Sequence, residues 1–251
     1  MPVLADFLFV FVLVVAASVA EHYWFWPSFR SEVAAGEPDA RVRGYRRGIV
    51  AQWSFVIAAS TIWTSHGRSL VELRLVAPDR WKLAVGGALV IAMLVLVWVQ
   101  HRSITRLTEE RRVAVGLKFG AVAFLLPHTL REHRWFLGLS ITAGICEELL
   151  YRGYLTWFLS PWLGTAGAYL AVIALFGIGH AYQGRKGATR ATLAGAVMAA
   201  IVLATGWLVP AMIIHALIDM SSGTAGFMLL RESRPENSLL RGAHGVEPLT
   251  G

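Results

Sequence analysis

Residues 82–100, "KLAVGGALVIAMLVLVWVQ", carry no acidic or basic side chain after Lys82. A run of this kind constrains the chain severely, because a helix of about twenty apolar residues is what crosses the hydrocarbon of a bilayer. In lipid every backbone N–H and C=O must be paired within the protein, and a continuous apolar run of this length meets that demand as a helix. Comparable runs lie at roughly 5–25, 49–66, 135–159, 163–182, 191–208 and 210–230. The sequence therefore predicts an all-α, polytopic integral membrane helix bundle with about seven transmembrane helices. The stretch 114–127, "AVGLKFGAVAFLLP", closes at Pro127 and reads either as a half-buried helix or as an eighth span.

Composition agrees. The chain is 56% hydrophobic and 16% charged, where a soluble domain is about a quarter charged. The net charge of +7 is spread in short basic blocks between apolar runs, as suits loops beside anionic lipid and not a nucleic-acid face. The expected partner is thus the lipid bilayer, with no nucleic acid. The first run ends in Ser18-Val19-Ala20, a possible signal-peptidase site. No basic residue precedes it and Asp6 stands where one belongs, so a retained span is expected. The ten tryptophans fall near the predicted span ends, where headgroup-level rings are favoured.

With seven spans, one side receives Arg30, Arg41, Arg43, Arg46, Arg47, the basic connection 101–134 and Arg185, Lys186 and Arg190. The other side holds Arg68, Arg74, Arg80 and Lys82. That asymmetry predicts the N-terminus outside and the C-terminus in the cytoplasm of a bacterial cell inner membrane. The organisation expected is N-terminal transmembrane helices over 1–110, an amphipathic or short helical connection over 111–134, a catalytic transmembrane core over 135–230 and a flexible polar tail over 231–251.

Ionisable groups away from span ends concentrate in the later spans: Glu147, Glu148, Arg152, His180, His215 and Asp219. Such groups are costly in lipid and by default mark a pathway or a site. Glu148 and Arg152 are four apart with the acid first, the favourable order for an ion pair on one helix face. Glu147 is rotated by about 100° from Glu148 and lacks that partner, which leaves it as the reagent and a candidate general base. Phe176 and His180 are four apart in "FGIGH", and so are His215 and Asp219 in "HALID". Gly177 and Gly179 thin the helix beside His180, letting another helix or a substrate approach. Taken singly, each element has a plain explanation: a surface ion pair, a packed histidine, a helix tether, a core aromatic.

Together and in this order, "EELLYR", "FGIGH" and "HALID" resemble the CPBP family of intramembrane endopeptidases, which includes the type II CAAX prenyl endopeptidases and bacteriocin-processing and self-immunity proteins. The resemblance covers roughly 135–225 and rests on EExxxR, FxxxH and HxxxN or HxxxD. It implies a peptidase acting on a membrane-associated peptide or protein substrate, in which Glu147, helped by His180, activates a water, while His215 and Asp219 stabilise the oxyanion. Glu148, Arg152 and Phe176 are the structural support. Asp219 stands where the prenyl endopeptidases typically carry asparagine. It either donates as a neutral acid or, as the i, i+4 spacing favours, accepts a ring N–H of His215 and orients it.

The resemblance favours a reaction without cofactor. The alternative is a divalent metal such as zinc on Glu147, His180 and His215, which have the ligand types but no HExxH to gather them. Two other functions compete with the enzyme: an inactive scaffold or self-immunity protein of the same fold, and a proton-coupled transporter. The transporter requires a polar path through the early spans, and those spans lack it. Cys146, beside Glu147, has no His or Asn at its own helical spacing and is not read as a nucleophile.

Overall fold

Residues 1–230 are described by a computed structural model, and among them the secondary structure is helical with no strand. The polar tail expected over 231–251 lies outside the described residues. Helix α1 runs Leu4–Ala34, with π-helical turns at Val12–Ala16 and Glu21–Phe25. Then come α2 (Ala40–Ser65), α3 (Arg80–Thr105) and the short α4 (Glu109–Gly116), which passes into a 3₁₀ segment, Leu117–Val122. Helix α5 (Leu130–Glu147) continues through a π-helical stretch, Glu148–Leu155, into α6 (Thr156–Gly179). A 3₁₀ turn at Ala181–Gln183 leads to α7 (Gly184–Thr205), and α8 is Leu208–Leu230.

Each of the seven expected spans falls mainly on a helix, although 163–182 runs past the end of α6 at Gly179 and 191–208 past the end of α7 at Thr205. Five helical runs are long and apolar enough to cross a membrane: Leu4–Ala34, Arg80–Thr105, Leu130–Gly179, Ala181–Thr205 and Leu208–Leu230. The third holds two of the expected spans. It breaks at Gly164, whose φ of 66° and ψ of 171° no helix accommodates, shortly after Pro161. Helix α2 is long enough but opens with Arg41, Arg43, Arg46 and Arg47. The stretch 114–127 is not an eighth span. It is the end of α4 and a 3₁₀ turn, kinked at Gly120 with φ 49°, and pieces that short do not bridge hydrocarbon.

The faces that meet lipid are apolar. On α3, Leu94, Val95, Leu96, Trp98 and Val99 are exposed, and in a bilayer such a surface faces acyl chains, with its backbone paired inside the helix. Trp63 departs from the interfacial expectation: it is 1% exposed, packed against Tyr154 and Trp157 at ring separations of 5.9 and 4.8 Å. The Arg68 guanidinium lies over Trp63 and Trp157. Its charge needs a partner close to the bundle, and Asp6 supplies one.

That partnership fastens α1. Asp6 is fully buried and accepts two bonds from Arg68, at 2.7 and 2.6 Å, one from the Tyr154 hydroxyl at 2.5 Å and one from Val3 N–H at 2.6 Å. The first helix is thereby tied to the loop before α3 and to the π-helical stretch that follows α5.

Three packings place the site. Helix α5 starts on a capping box, in which the Thr129 hydroxyl accepts Glu132 N–H and Glu132 accepts Thr129 N–H. Helix α2 lies along it in the same direction, with Tyr45 edge-on to Phe136 and Trp53 Nε1 donating to Thr142 at 3.3 Å. Helix α8 runs antiparallel to α5 at very close range, since a Cβ on Gly144 would sit 2.6 Å from the Met212 carbonyl and 2.7 Å from Ala216 N. Small residues permit such approach between membrane helices.

Candidate active site

The seven side chains singled out in the sequence converge in one polar cluster. Glu148 is fully buried and Arg152 is 1% exposed. Arg152 Nη1 donates to Glu148 Oε1 at 3.0 Å, and Nη2 donates to the Gly195 carbonyl at 3.1 Å. The guanidinium also lies 4.3 Å over the Phe176 ring. The ion pair therefore joins α5, α6 and α7. Gly195 is required by this approach, because a Cβ there would sit 2.8 Å from Arg152 Nη2 and 3.2 Å from Phe176.

His215, buried on α8, reaches across the Gly144 contact into the same cluster. Its Nδ1 is 2.8 Å from Glu148 Oε1, the oxygen that already accepts from Arg152. A carboxylate paired with arginine accepts only, so Nδ1 carries a proton and donates. Nε2 then faces the remaining carboxylates, 3.8 Å from Glu147 Oε2 and 3.8 Å from Asp219 Oδ2. The two neighbouring glutamates do point apart, as helical geometry requires, and one imidazole spans the divergence.

This geometry revises the expectation for Asp219. The i, i+4 spacing predicts that Asp219 accepts from His215 and orients it. Instead Glu148 takes that bond, and 3.8 Å is beyond hydrogen-bond length. The close α5–α8 packing at Gly144 brings the Glu148 carboxylate to the ring first. Asp219 remains beside the cluster, within electrostatic reach of His215, Glu147 and His180.

His180 follows immediately on the end of α6. Its Nδ1 bonds to the Phe176 carbonyl at 2.8 Å, a donation that fixes the proton there and leaves Nε2 with its lone pair. The Phe176 ring is 4.4 Å from the His180 ring and 6.1 Å from the His215 ring, so it links the two histidines as well as supporting Arg152. Gly177 admits α7, where a Cβ would meet Thr192 Cβ at 3.2 Å. The Gly164 break shortens the helical run that leads to His180. Residues 165–179 make a helix of about 22 Å, short of the hydrocarbon thickness of about 30 Å, so His180 need not reach the opposite face.

Glu147 itself accepts a bond that the sequence reading missed. Gln52 Nε2, from α2, donates to Glu147 Oε1 at 3.2 Å. A signal for Gln52 exists in the chain: Tyr45, Val56, Ala59 and Trp63 form the buried seam of α2. Gln52 continues that seam at heptad-like spacing, a polar residue where an apolar one belongs. The π-helical stretch Glu148–Leu155 was also missed. It carries both Glu148 and Arg152, and such stretches occur frequently at functional sites.

Among the described residues no three His, Cys, Asp or Glu side chains are grouped to hold a metal ion. Each histidine has Nδ1 engaged within the protein, and the close approaches pair His215 with carboxylates rather than gathering both histidines on one point.

The order of these residues along the chain can be set beside known families. Residues 129–221 match the family described as Type II CAAX prenyl endopeptidase Rce1-like. The match opens at the N-cap of α5 and closes two residues beyond Asp219. The matched segment thus contains Glu147, Glu148, Arg152, Phe176, His180, His215 and Asp219, while Gln52 and the Asp6–Arg68 tether lie outside it. No curated protein and no solved structure matches the chain. The family match, over about a third of the chain, and the apolar helices together point to an integral membrane protein with a segment similar to that family.

Proposed function

We propose that the chain is an intramembrane endopeptidase that hydrolyses a peptide bond of a membrane-associated or lipidated substrate, with Glu147 as general base. The observation that carries this reading is the His215 ring, held by Glu148 on one nitrogen and turned toward Glu147 and Asp219 on the other. Glu147 Oε2 is buried and has no hydrogen-bond partner in the protein, so it is available to take a proton.

In the proposed reaction Glu147 Oε2 removes a proton from water as the oxygen bonds to the scissile carbonyl carbon. The carbonyl π pair moves to oxygen, and His215, doubly protonated with its Nδ1–H on Glu148, donates Nε2–H to that oxyanion with Asp219 beside it. His180 Nε2 then accepts the new Glu147 O–H, which assists the water's proton transfer. Collapse breaks the C–N bond, and Glu147 returns its proton to the leaving nitrogen, giving a carboxylic acid and an amine, which exchange a proton to leave carboxylate and ammonium. Donors fixed in a water-poor site count for more than they would in bulk solvent. No step passes through a metal. The lysine and arginine distribution supports an N-terminus outside and a basic cytoplasmic side.

Cleavage of a tagged, membrane-embedded peptide by the purified protein in lipid vesicles tests the reading. Product formation that Glu147→Gln abolishes is expected, and an inert wild-type protein across varied substrates overturns it in favour of a scaffold.

A further inference from the structure

Gln52 and Glu147 share one 3.2 Å hydrogen bond, and each keeps a second polar atom beside it. Gln52 Oε1 and Glu147 Oε2 are both buried, and neither has a hydrogen-bond partner in the protein. Leaving two buried acceptors unpaired is costly, and a membrane helix has no reason of packing to carry glutamine on its buried seam. We propose that Gln52 is a positioning residue for the nucleophilic water, a role that rests on the endopeptidase reading above.

The chemistry follows from the inventory of donors. A water has two O–H donors, and the site offers it two acceptors. One O–H goes to Glu147 Oε2, the atom that takes the proton, and the other to Gln52 Oε1, which keeps its own proton count unchanged. With both hydrogens directed at protein, a lone pair faces the substrate carbonyl. The Gln52 N–H on Glu147 Oε1 fixes which carboxylate oxygen serves as base. The amide orientation is the one that an ionised Glu147 selects, since the reverse would set the amide carbonyl against a carboxylate.

The placement also answers what the N-terminal helices contribute. Helix α2 lies outside the matched 129–221, yet it delivers a side chain to the reacting carboxylate. Its register on α5 is set by Tyr45 on Phe136 and by Trp53 on Thr142, the residue next to Gln52 making the second of these contacts.

The test is steady-state cleavage of the vesicle-embedded peptide by wild type and Gln52→Met, which keeps length and removes both polar atoms. The expected result is a kcat lower by about 10- to 100-fold, the scale of a misplaced reactant. KM should be unchanged, so that kcat and kcat/KM fall together. Gln52→Ala should show the same split, and serves alone if Gln52→Met does not insert. A Gln52 variant with wild-type kcat, or with a raised KM and unaltered kcat, overturns the positioning role while leaving the endopeptidase reading intact. A wild-type protein that cleaves nothing overturns both.

Discussion

Glu148 and His215 meet at 2.8 Å across the α5–α8 contact, and the oxygen that joins them also accepts Arg152 at 3.0 Å. One buried carboxylate thus neutralises an arginine and anchors the Nδ1–H of a histidine. Removing its charge leaves a buried guanidinium uncompensated, at a cost of about 3–5 kcal/mol. Glu148→Gln should lower the melting temperature and the extracted yield in detergent, and the surviving protein should also lose cleavage because His215 is no longer held. Wild-type melting in Glu148→Gln contradicts this.

Gly195→Ala should act on the same node from the other side. Its Cβ would sit 2.8 Å from Arg152 Nη2 and 3.2 Å from Phe176, so either the ion pair or α7 must move. Overpacking of this kind costs about 1–3 kcal/mol. Thermal melting and cleavage rate should both fall, and a variant as stable and active as wild type removes Gly195 from the account.

Asp219 should tolerate an amide. Because Glu148 already orients His215, Asp219 is left to donate to the oxyanion as a neutral acid in the proposed reaction, and asparagine supplies an N–H donor in its place. Asp219→Asn should keep cleavage within about tenfold of wild type, whereas Asp219→Leu should lose about 100-fold or more, the scale of a missing oxyanion donor. Equal loss in the two variants would show that the negative charge itself is required.

Much of this cluster was legible in the chain because it rests on local spacing. Glu148 with Arg152, Phe176 with His180, and His215 with Asp219 are each one helical turn apart, and the rarity of charge in apolar runs drew attention to them. What spacing does not encode is which helices touch. The choice of Glu148 over Asp219 as the partner of His215 depends on Gly144 letting α8 approach α5. The bond from Gln52 depends on the register of a helix almost a hundred positions earlier. Trp63 misled for the same reason: a tryptophan near a span end reads as interfacial until a buried Asp6–Arg68 pair draws the loop over it.

The tether at Asp6 should be structural and separable from chemistry. Asp6→Asn exchanges an ion-paired carboxylate for an amide under the Arg68 guanidinium. The melting temperature should fall, by an amount corresponding to about 3 kcal/mol or more, while protein that remains folded keeps wild-type kcat. A kcat loss without a melting change would place Asp6 in the catalytic machinery.

Metal removal should leave the reaction untouched, since water activation is assigned to Glu147 and not to a Lewis acid. Exhaustive treatment with a chelator, followed by the vesicle assay, should give wild-type rates. Loss of activity restored by zinc would assign Glu147 and His215 to ligation instead.

The central claim, that Glu147 is the base, is tested most directly by one comparison. Wild type and Glu147→Gln are reconstituted at equal density in vesicles carrying the tagged peptide, and initial cleavage rates are measured with melting temperatures recorded alongside. The account predicts a melting temperature close to wild type, because an amide can still accept the Gln52 N–H, and a cleavage rate lower by about a thousandfold or more, within the range general-base catalysis supplies. A Glu147→Gln protein that is folded and cleaves at the wild-type rate contradicts it.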